Sequence, residues 1–433
     1  MLPVIAIFDI GKTNKKFFLF DKEYGLVLEK TIQLDEIKDE DGDPCEDLTS
    51  LTAWVKNTFQ EIISDQQYTI EAINFSTYGA SFVHLDREGK PTAPLYNYLK
   101  PYPDALKEKF YKTYGSQERI ASETASPILG NLNSGMLLYW LKHQRPEVFK
   151  KIAVSLHLPQ YISSLFSGQY CSEITSIGCH TQLWDFKKQN YHDWVFQEGL
   201  DTILAPIVPS DSMVTSSLNS KEFQCGLGLH DSSAALIPYL KLYQDPFMLL
   251  STGTWSISLN PFNGSPLTKE ELDQDCLCYL SYDGKPVKAS RLFSGYEHEQ
   301  QTKRLSAHFH KSEDYFKTVP YQPIQENRLE YGAESDLSAF NNYEEAYCAM
   351  IKSLVTKQMK SSNLAMNPSV KRIFVDGGFS RNVIFMKYLA TIFSSMQVSA
   401  TSMAQASALG AASIIMPQSS LQSLKKHFSI QQY

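Results

Sequence analysis

The 433-residue chain carries 40 basic against 47 acidic side chains, a formal charge of −7, with 43% hydrophobic and 20% charged residues. This composition belongs to a globular protein long enough for two domains with a cleft between them, and it excludes a disordered or fibrous chain and a basic nucleic-acid tracker. No run approaches eighteen consecutive apolar residues, which excludes a membrane span, and the seven scattered cysteines make no disulfide framework, so a soluble cytoplasmic protein is the expectation.

The opening residues lack the basic n-region of a signal sequence, and their apolar run is too short for an h-region, so 4–8 read as a buried strand. The run is broken by Asp9-Ile10-Gly11-Lys12-Thr13-Asn14, and residues 17–20 resume an apolar strand. A strand ending in a carboxylate and a glycine turn suits phosphate and Mg²⁺: glycine lets backbone N–H groups approach phosphate, and Asp9 can hold a hydrated cation. An acidic hairpin turn is the equally simple structural reading. Gly11-Lys12-Thr13 also matches the end of a P-loop, but Ala6 stands where its first glycine belongs, and a strand rather than a helix follows.

Residues 70–76 and 82–85 read as strands and 135–144 as a helix. The segment Gly226 to Ala235 is rich in small residues and carries the adjacent pair His230-Asp231 midway along the chain. Asp231 is placed to act as a general base toward an alcohol, with His230 beside the same or a neighbouring hydroxyl. The alternative role for Asp231 is the N-cap of a helix starting at Ser232-Ser233.

The grammar of the first hairpin returns at 247–250, Ser251-Thr252-Gly253-Thr254 and 255–259, a repeat of pattern that falls where a second domain of equal size would begin. Tyr296-Glu297-His298 reads as the top of a surface helix. Cys276/Cys278 and His308/His310 have no partner pair at metal-ligand spacing and read as structural. A helix is expected over 342–358, a buried strand over 372–375, and a helix over 382–393. Between the last two, Gly377-Gly378 with Ser380, Arg381 and Asn382 would let a nucleobase or ribose lie against the backbone, or would simply turn strand into helix. Polar residues dominate from Pro417, where a short amphipathic helix or a frayed tail is expected. Strands alternating with helices make the class α/β.

The order of these motifs resembles the FGGY family of carbohydrate kinases. Asp9 to Asn14 is similar to its first phosphate motif, Ser251 to Trp255 to its second, and Asp376-Gly377-Gly378-Phe379-Ser380-Arg381-Asn382 to its adenosine motif. Ser76-Thr77-Tyr78-Gly79 resembles the sugar-side segment of rhamnulose and fuculose kinases, and His230-Asp231-Ser232 their His-Asp-Thr catalytic segment. Leu158-Pro159-Gln160-Tyr161 and Gln405 to Ala412 resemble the family's inter-strand region and closing alanine-glycine helix.

The resemblance implies a two-domain, duplicated actin-like (ribonuclease-H-like) ATPase fold with its active site between residues 1–240 and 241–433. It further implies ATP and Mg²⁺ as cofactors, Asp231 as proton acceptor, and Thr77, Tyr78, Gly79, His230 and Ser232 on the sugar. Gly11, Lys12, Thr13, Asn14, Gly253, Thr254, Gln300, Gly377, Gly378 and Asn382 would lie on the nucleotide. The acceptor it suggests is a ketose, L-rhamnulose or L-fuculose first, with xylulose, ribulose or another polyol as alternatives, and a non-catalytic sugar sensor as the reading from another class. Two departures bear on the sugar: Arg291-Leu292-Phe293-Ser294 stands where rhamnulose kinases show an asparagine, and Tyr98-Leu99-Lys100-Pro101 lacks the aspartate and arginine of many relatives.

Overall fold

A computed structural model describes residues 1–322, 331–332, 334–402, 405–416 and 421–433. The strand Leu2–Ile10 is buried on consecutive residues, so both of its faces are covered, as expected of a central strand. It pairs antiparallel with Lys15–Phe20, which pairs with Leu26–Ile32, and on its other side runs parallel to Tyr68–Thr77. Lys221–Gly226 and Met213–Leu218 complete that edge, and the short strand Leu229–His230 also lies beside Tyr68–Thr77.

The second sheet repeats the plan. Phe247–Thr252 forms a hairpin with Ser256–Asn260, extended outward by Pro286–Leu292 and Cys276–Leu280, and runs parallel to Arg372–Gly377 and then Gln397–Ser402. In both sheets an antiparallel hairpin is followed, through a helical crossover, by a parallel neighbour. The duplication legible in the two glycine turns is therefore a duplication of topology.

Two helices join the sheets. Asp231–Leu242 follows the last strand of the first sheet, and Ala406–Ile415 follows the parallel strand Gln397–Ser402 of the second. Residues 408–415 are buried all round the second of these helices, as suits an element packed between layers. The two helices approach so closely that a Cβ on Gly410 would lie 1.8 Å from the carbonyl oxygen of Ala234. Asn74 extends the join, donating from Nδ2 to the carbonyl of Ala411 at 2.8 Å. Leu229, Ala234, Ile237, Leu249, Leu277, Ala408 and Ala411 share one apolar cluster spanning both halves.

The strand expected over 82–85 is present, while the helix end expected near 358 and the C-terminal tail are corrected. The strand Phe82–Leu85 leaves the main sheet and pairs with Val154–His157 in a two-stranded ribbon, the chain having turned at Ala80 with φ 58°. The helix expected to end near residue 358 continues to Ala365. Its last turns are buried through serines rather than apolar residues, Ser362 Oγ meeting Ser258 Oγ at 2.8 Å, so hydrophobic periodicity lost the signal. Beyond residues 417–420, which lie outside the described residues, Leu421–Lys426 is helical. Ser429–Gln432 then forms an exposed edge strand on Gln397–Ser402, with no alternation to announce it.

Replacing Gly410 by valine forces apart the helices that join the halves. We expect a loss of about 2–4 kcal/mol from overpacking against backbone, read as a lowered calorimetric Tm. An unchanged Tm would show that the crossing is not constrained as described.

Candidate active site

Asp9 ends the first strand and Asp231 opens the joining helix. The crossing of the two helices sets them in the same cleft, because Ser407, in the first turn of Ala406–Ile415, donates its hydroxyl to Asp9 Oδ2 at 2.9 Å. Burial raises the Asp9 carboxyl to about 6, opposed by the Ser407 hydrogen bond and reinforced by the charge of Asp231. Asp231 is likewise raised to about 6 by burial, against the N–H and hydroxyl of Ser232, which donate to its Oδ1 at 2.6 and 3.2 Å. About a third of its side chain is open to solvent while protein walls it on the other sides. The helix starts at Asp231 itself with His230 as N-cap, and the aspartate makes no N-cap hydrogen bond of its own; a carboxylate in that first turn is favoured by the helix dipole.

On the N-terminal side of the cleft, Thr77 is buried with its hydroxyl on the carbonyl of Tyr78, and the phenol of Tyr78 donates to Glu46 Oε2 at 3.2 Å. The absence of a side chain on Gly79 makes room for His230: a Cβ there would lie 2.8 Å from the imidazole Cδ2. His230 Nε2 sits 3.1 Å from Cys179 Sγ and 3.2 Å from Asp231 Oδ1, and the ring stacks on Tyr279 at 5.7 Å. Tyr98 packs edge-on to Tyr78 at 6.2 Å, and its phenol is raised by burial and then by the charge of Asp231, which places it by the same carboxylate.

The first glycine turn divides its residues. Gly11 N–H donates to the carbonyl of Asn14, closing the hairpin, while Thr13 and Asn14 are exposed at its tip. The Lys12 side chain pairs with Glu36 at 2.7 Å and lies over the ring of Tyr78 at 5.8 Å rather than reaching along the turn. Lys15, unremarked in the sequence, is buried beneath it, bonded to the Lys12 carbonyl at 2.9 Å and to Glu46 at 2.8 Å.

Across the cleft, Gly253 and Gly378 border a cavity of about 600 Å³ with Gly295, His298, Phe316, Val319, Phe379, Asn382, Val383 and Ile384. Apolar walls with a few polar groups suit a flat heteroaromatic ring. Asn382 is held by two bonds, its Nδ2 donating to Tyr347 OH at 2.8 Å and its Oδ1 capping the helix Val383–Ile392. Thr254 lies exposed in the turn, its carbonyl accepting from Tyr296 N–H at 3.3 Å. Gln300 is exposed on the helix Ser294–His308 and is not among the residues around the cavity. From the triplet expected to top that helix, Tyr296 is exposed and Glu297 pairs with Lys357, but His298 turns inward to the cavity, its Nε2 on Tyr347 OH at 3.0 Å. The sequence carried no signal for His298, Phe316 or Val319, since an apolar cavity wall reads like core.

Arg291 also faces inward, pairing with Asp275 at 2.5 Å and lying over Trp255 at 5.4 Å. Its charge is felt at Cys179 and His180 of the first half and at Tyr279 of the second, each of which burial holds in its neutral form.

Asp9 and Asp231 are partly buried like charges, an arrangement that a bound cation relieves. One carboxylate with a neighbouring hydroxyl fits Mg²⁺, which keeps waters and phosphate oxygens as its other ligands. No group of three His, Cys, Asp or Glu suited to a full metal cage occurs among the described residues. Cys276 and Cys278 are unpaired and buried.

Residues 4–236 match the model of the N-terminal domain of the FGGY family of carbohydrate kinases, and residues 244–423 match the FGGY C-terminal domain. The chain belongs to the FGGY family of carbohydrate kinases. It is 26% identical over 249 residues to a rhamnulokinase of Halalkalibacterium halodurans, covering 53% of this chain and 51% of that one. It is 23% identical over 198 residues to the L-fuculokinase of Escherichia coli K12, covering 43% and 41%. The chain thus spans about half the length of the curated relatives it matches. A carbohydrate kinase structure from Novosphingobium aromaticivorans superposes with a TM-score of 0.78 at 22% identity, covering 99% of this chain and 93% of that one. A ligand-bound xylulose kinase from Lactobacillus acidophilus gives 0.81 at 16% identity, covering 99% and 93%. The fold is the two-domain actin-like one of these kinases.

The glycines around the cavity separate by role. A Cβ on Gly377, at φ 88°, would lie 1.9 Å from the Thr252 carbonyl oxygen, whereas one on Gly253 would meet only the Trp255 carbonyl, at 3.8 Å. Gly377→Val should therefore lower Tm, while Gly253→Val should leave Tm in place and raise the KM for ATP about tenfold or more by filling space a nucleotide needs. A Tm loss in Gly253→Val equal to that in Gly377→Val would contradict this division.

Proposed function

We propose that the protein is an ATP-dependent kinase that transfers the γ-phosphoryl group to a primary hydroxyl of a ketose, with Asp231 as the proton acceptor. The observation that carries this reading is the nearness of Asp9 and Asp231, each raised by burial, in a chain whose second half holds a glycine-bordered cavity. Asp231 has the environment of a base poised near neutrality: burial lifts its carboxyl to about 6 while solvent still reaches it from the cleft. In this reading residues 1–240 carry the acceptor side and 241–433 the nucleotide side, closing on one another in a reducing cytoplasm.

The work assigned to the chain is largely placement, because phosphoryl transfer passes through a loose transition state. Gly253 and Gly378 let the nucleotide approach the backbone, Gly79 gives His230 its place beside the acceptor, and Asp231 accepts the hydroxyl proton as the oxygen attacks in line. Mg²⁺, when bound with the nucleotide, supplies neutralisation of phosphate charge, and Asp9 with Ser407 would hold it. The acceptor class favoured is L-rhamnulose or L-fuculose, supported by the similarity to a rhamnulokinase and an L-fuculokinase and by the Tyr78-Gly79 and His230-Asp231 segments. Xylulose, ribulose and other polyols remain within the reach of the same machinery.

A panel of L-rhamnulose, L-fuculose, xylulose and ribulose, with ADP release coupled to a spectroscopic readout, tests activity and acceptor together. Turnover of one ketose well above acceptor-free ATP hydrolysis is expected; ATP binding without phosphorylation of any of them would favour a sensor. Asp231→Asn should lower kcat by about 10²–10⁴-fold with Tm retained, and near-normal kcat would remove Asp231 from the role of base.

The pH dependence follows in sign from the raised carboxyl. The base acts ionised, so kcat/KM should be level above about pH 6 and fall about tenfold per unit below it. A profile flat down to pH 4.5 would place the essential group elsewhere.

A further inference from the structure

Cys179 is a fully buried thiol that neither the family motifs nor the proposed transfer step uses. It lies in the turn that follows the helix Ile174–Ile177, and its Sγ is 3.1 Å from His230 Nε2. That nitrogen has a second neighbour, Asp231 Oδ1 at 3.2 Å, and of the two it is the thiol that stands in hydrogen-bonding geometry. The other ring nitrogen, Nδ1, is buried and has no partner within the protein. The ring itself has little freedom: it stacks on Tyr279, abuts Gly79 on the side where a Cβ would clash, and is anchored through its backbone N–H to Thr175 Oγ1 at 3.0 Å.

A neutral imidazole has one N–H and one lone pair, and the group bonded to one nitrogen decides the state of the other. Burial keeps both partners uncharged, pushing the His230 imidazole down to about 3 and the Cys179 thiol well up. The pair is therefore a thiol and an imidazole rather than a thiolate and an imidazolium. An imidazole nitrogen is a far better acceptor than a thioether-like sulfur, so S–H donating to Nε2 is preferred over N–H donating to sulfur.

We propose that Cys179 is a positioning residue that sets the tautomer of His230, its S–H donating to Nε2 so that the ring proton resides on Nδ1. Two consequences follow, both resting on the reading of His230 and Asp231 given above. Nδ1–H, on a buried nitrogen with no partner among the described residues, is the donor the ring has left for a hydroxyl of the acceptor. Nε2, having no proton to give, does not engage Asp231, and the carboxylate keeps its lone pairs for the incoming hydroxyl. Without the thiol the balance reverses: Nε2–H turns to the adjacent carboxylate, a charge-assisted bond that holds the base back and leaves Nδ1 as a bare lone pair.

The tautomer is read directly from the ¹⁵N shifts of the histidine rings in the full-length protein, with His230 assigned by its loss in His230→Gln. The wild type should show His230 as the Nδ1–H tautomer. Cys179→Ala should convert it to Nε2–H and lower kcat/KM about tenfold for whichever of the four ketoses is turned over best, whereas Cys179→Ser, which restores a donor, should keep the Nδ1–H form and stay within about threefold of wild type. The wild-type spectrum alone overturns the inference if it shows Nε2–H, whether or not the variants fold. An alanine variant with unchanged tautomer and unchanged kcat/KM overturns it equally. Asp231→Asn separates the two readings: a variant that loses turnover in a protein whose His230 is Nε2–H leaves the base and removes the role of Cys179. One that keeps turnover while His230 is Nδ1–H removes the base and leaves the tautomer assignment standing.

Discussion

The contact between Gly410 and the carbonyl of Ala234 is the constraint on which the rest of the molecule turns. Helices cross this closely only where one of them lacks a side chain, and here the crossing fastens the end of the first sheet to the helix that follows the second. One turn before Gly410 lies Ser407, which bonds Asp9; three residues before Ala234 lies Asp231. The two carboxylates come from strands and helices far apart in the chain, and it is the packing of this helix pair that sets them in a common cleft. Asn74, bonded to the same helix from the strand beside Leu2–Ile10, stiffens the arrangement from below.

That geometry has an electrostatic cost, chiefly the hydration each carboxylate loses on burial, to which the charge of Asp231 adds at Asp9. Both are accordingly raised to about 6, and the first-turn position of Asp231, the N–H of Ser232 and the hydroxyl of Ser407 offset only part of this. A site under this tension gains when a cation enters, and the Asp231 carboxyl that it holds has a proton affinity close to neutrality. The histidine next to the base is kept neutral by the same burial, which leaves its single proton to be placed by its neighbours. Burial, more than any one hydrogen bond, therefore sets the protonation of these side chains, apart from the cavity lined by glycine and apolar surface.

How far the sequence announced this can be traced residue by residue. Asp9, Gly11, Gly253 and Gly377 were legible because a polar glycine turn after a buried strand is a local pattern, and local patterns survive in one dimension. Lys12 shows the limit of that reasoning: its spacing pointed to phosphate, yet its side chain is drawn to Glu36, a partner that only the third dimension supplies. His298 was read with Tyr296 and Glu297 as the top of a surface helix, and Gln300 was placed on the nucleotide by the family resemblance; a helix rotates by about 100° per residue, so neighbours in sequence face inside and outside. Cys179 had no signal at all, as a buried thiol resembles any small core residue until its neighbour is known.

What the sequence by itself determined was the α/β class, the repeated hairpin, the strands it named to within two residues, and the two carboxylates on which the chemistry is proposed to rest. These follow from hydrophobic periodicity and turn chemistry, which act between near neighbours in the chain. Only the tertiary structure decided that Asp9 lies near Asp231, that Lys12 pairs with Glu36, that His298 and Phe316 wall the cavity, and that Cys179 touches His230. Each of these depends on a contact between segments tens to hundreds of residues apart, selected by the packing of whole helices and sheets, and no local pattern records which distant partner a side chain will find.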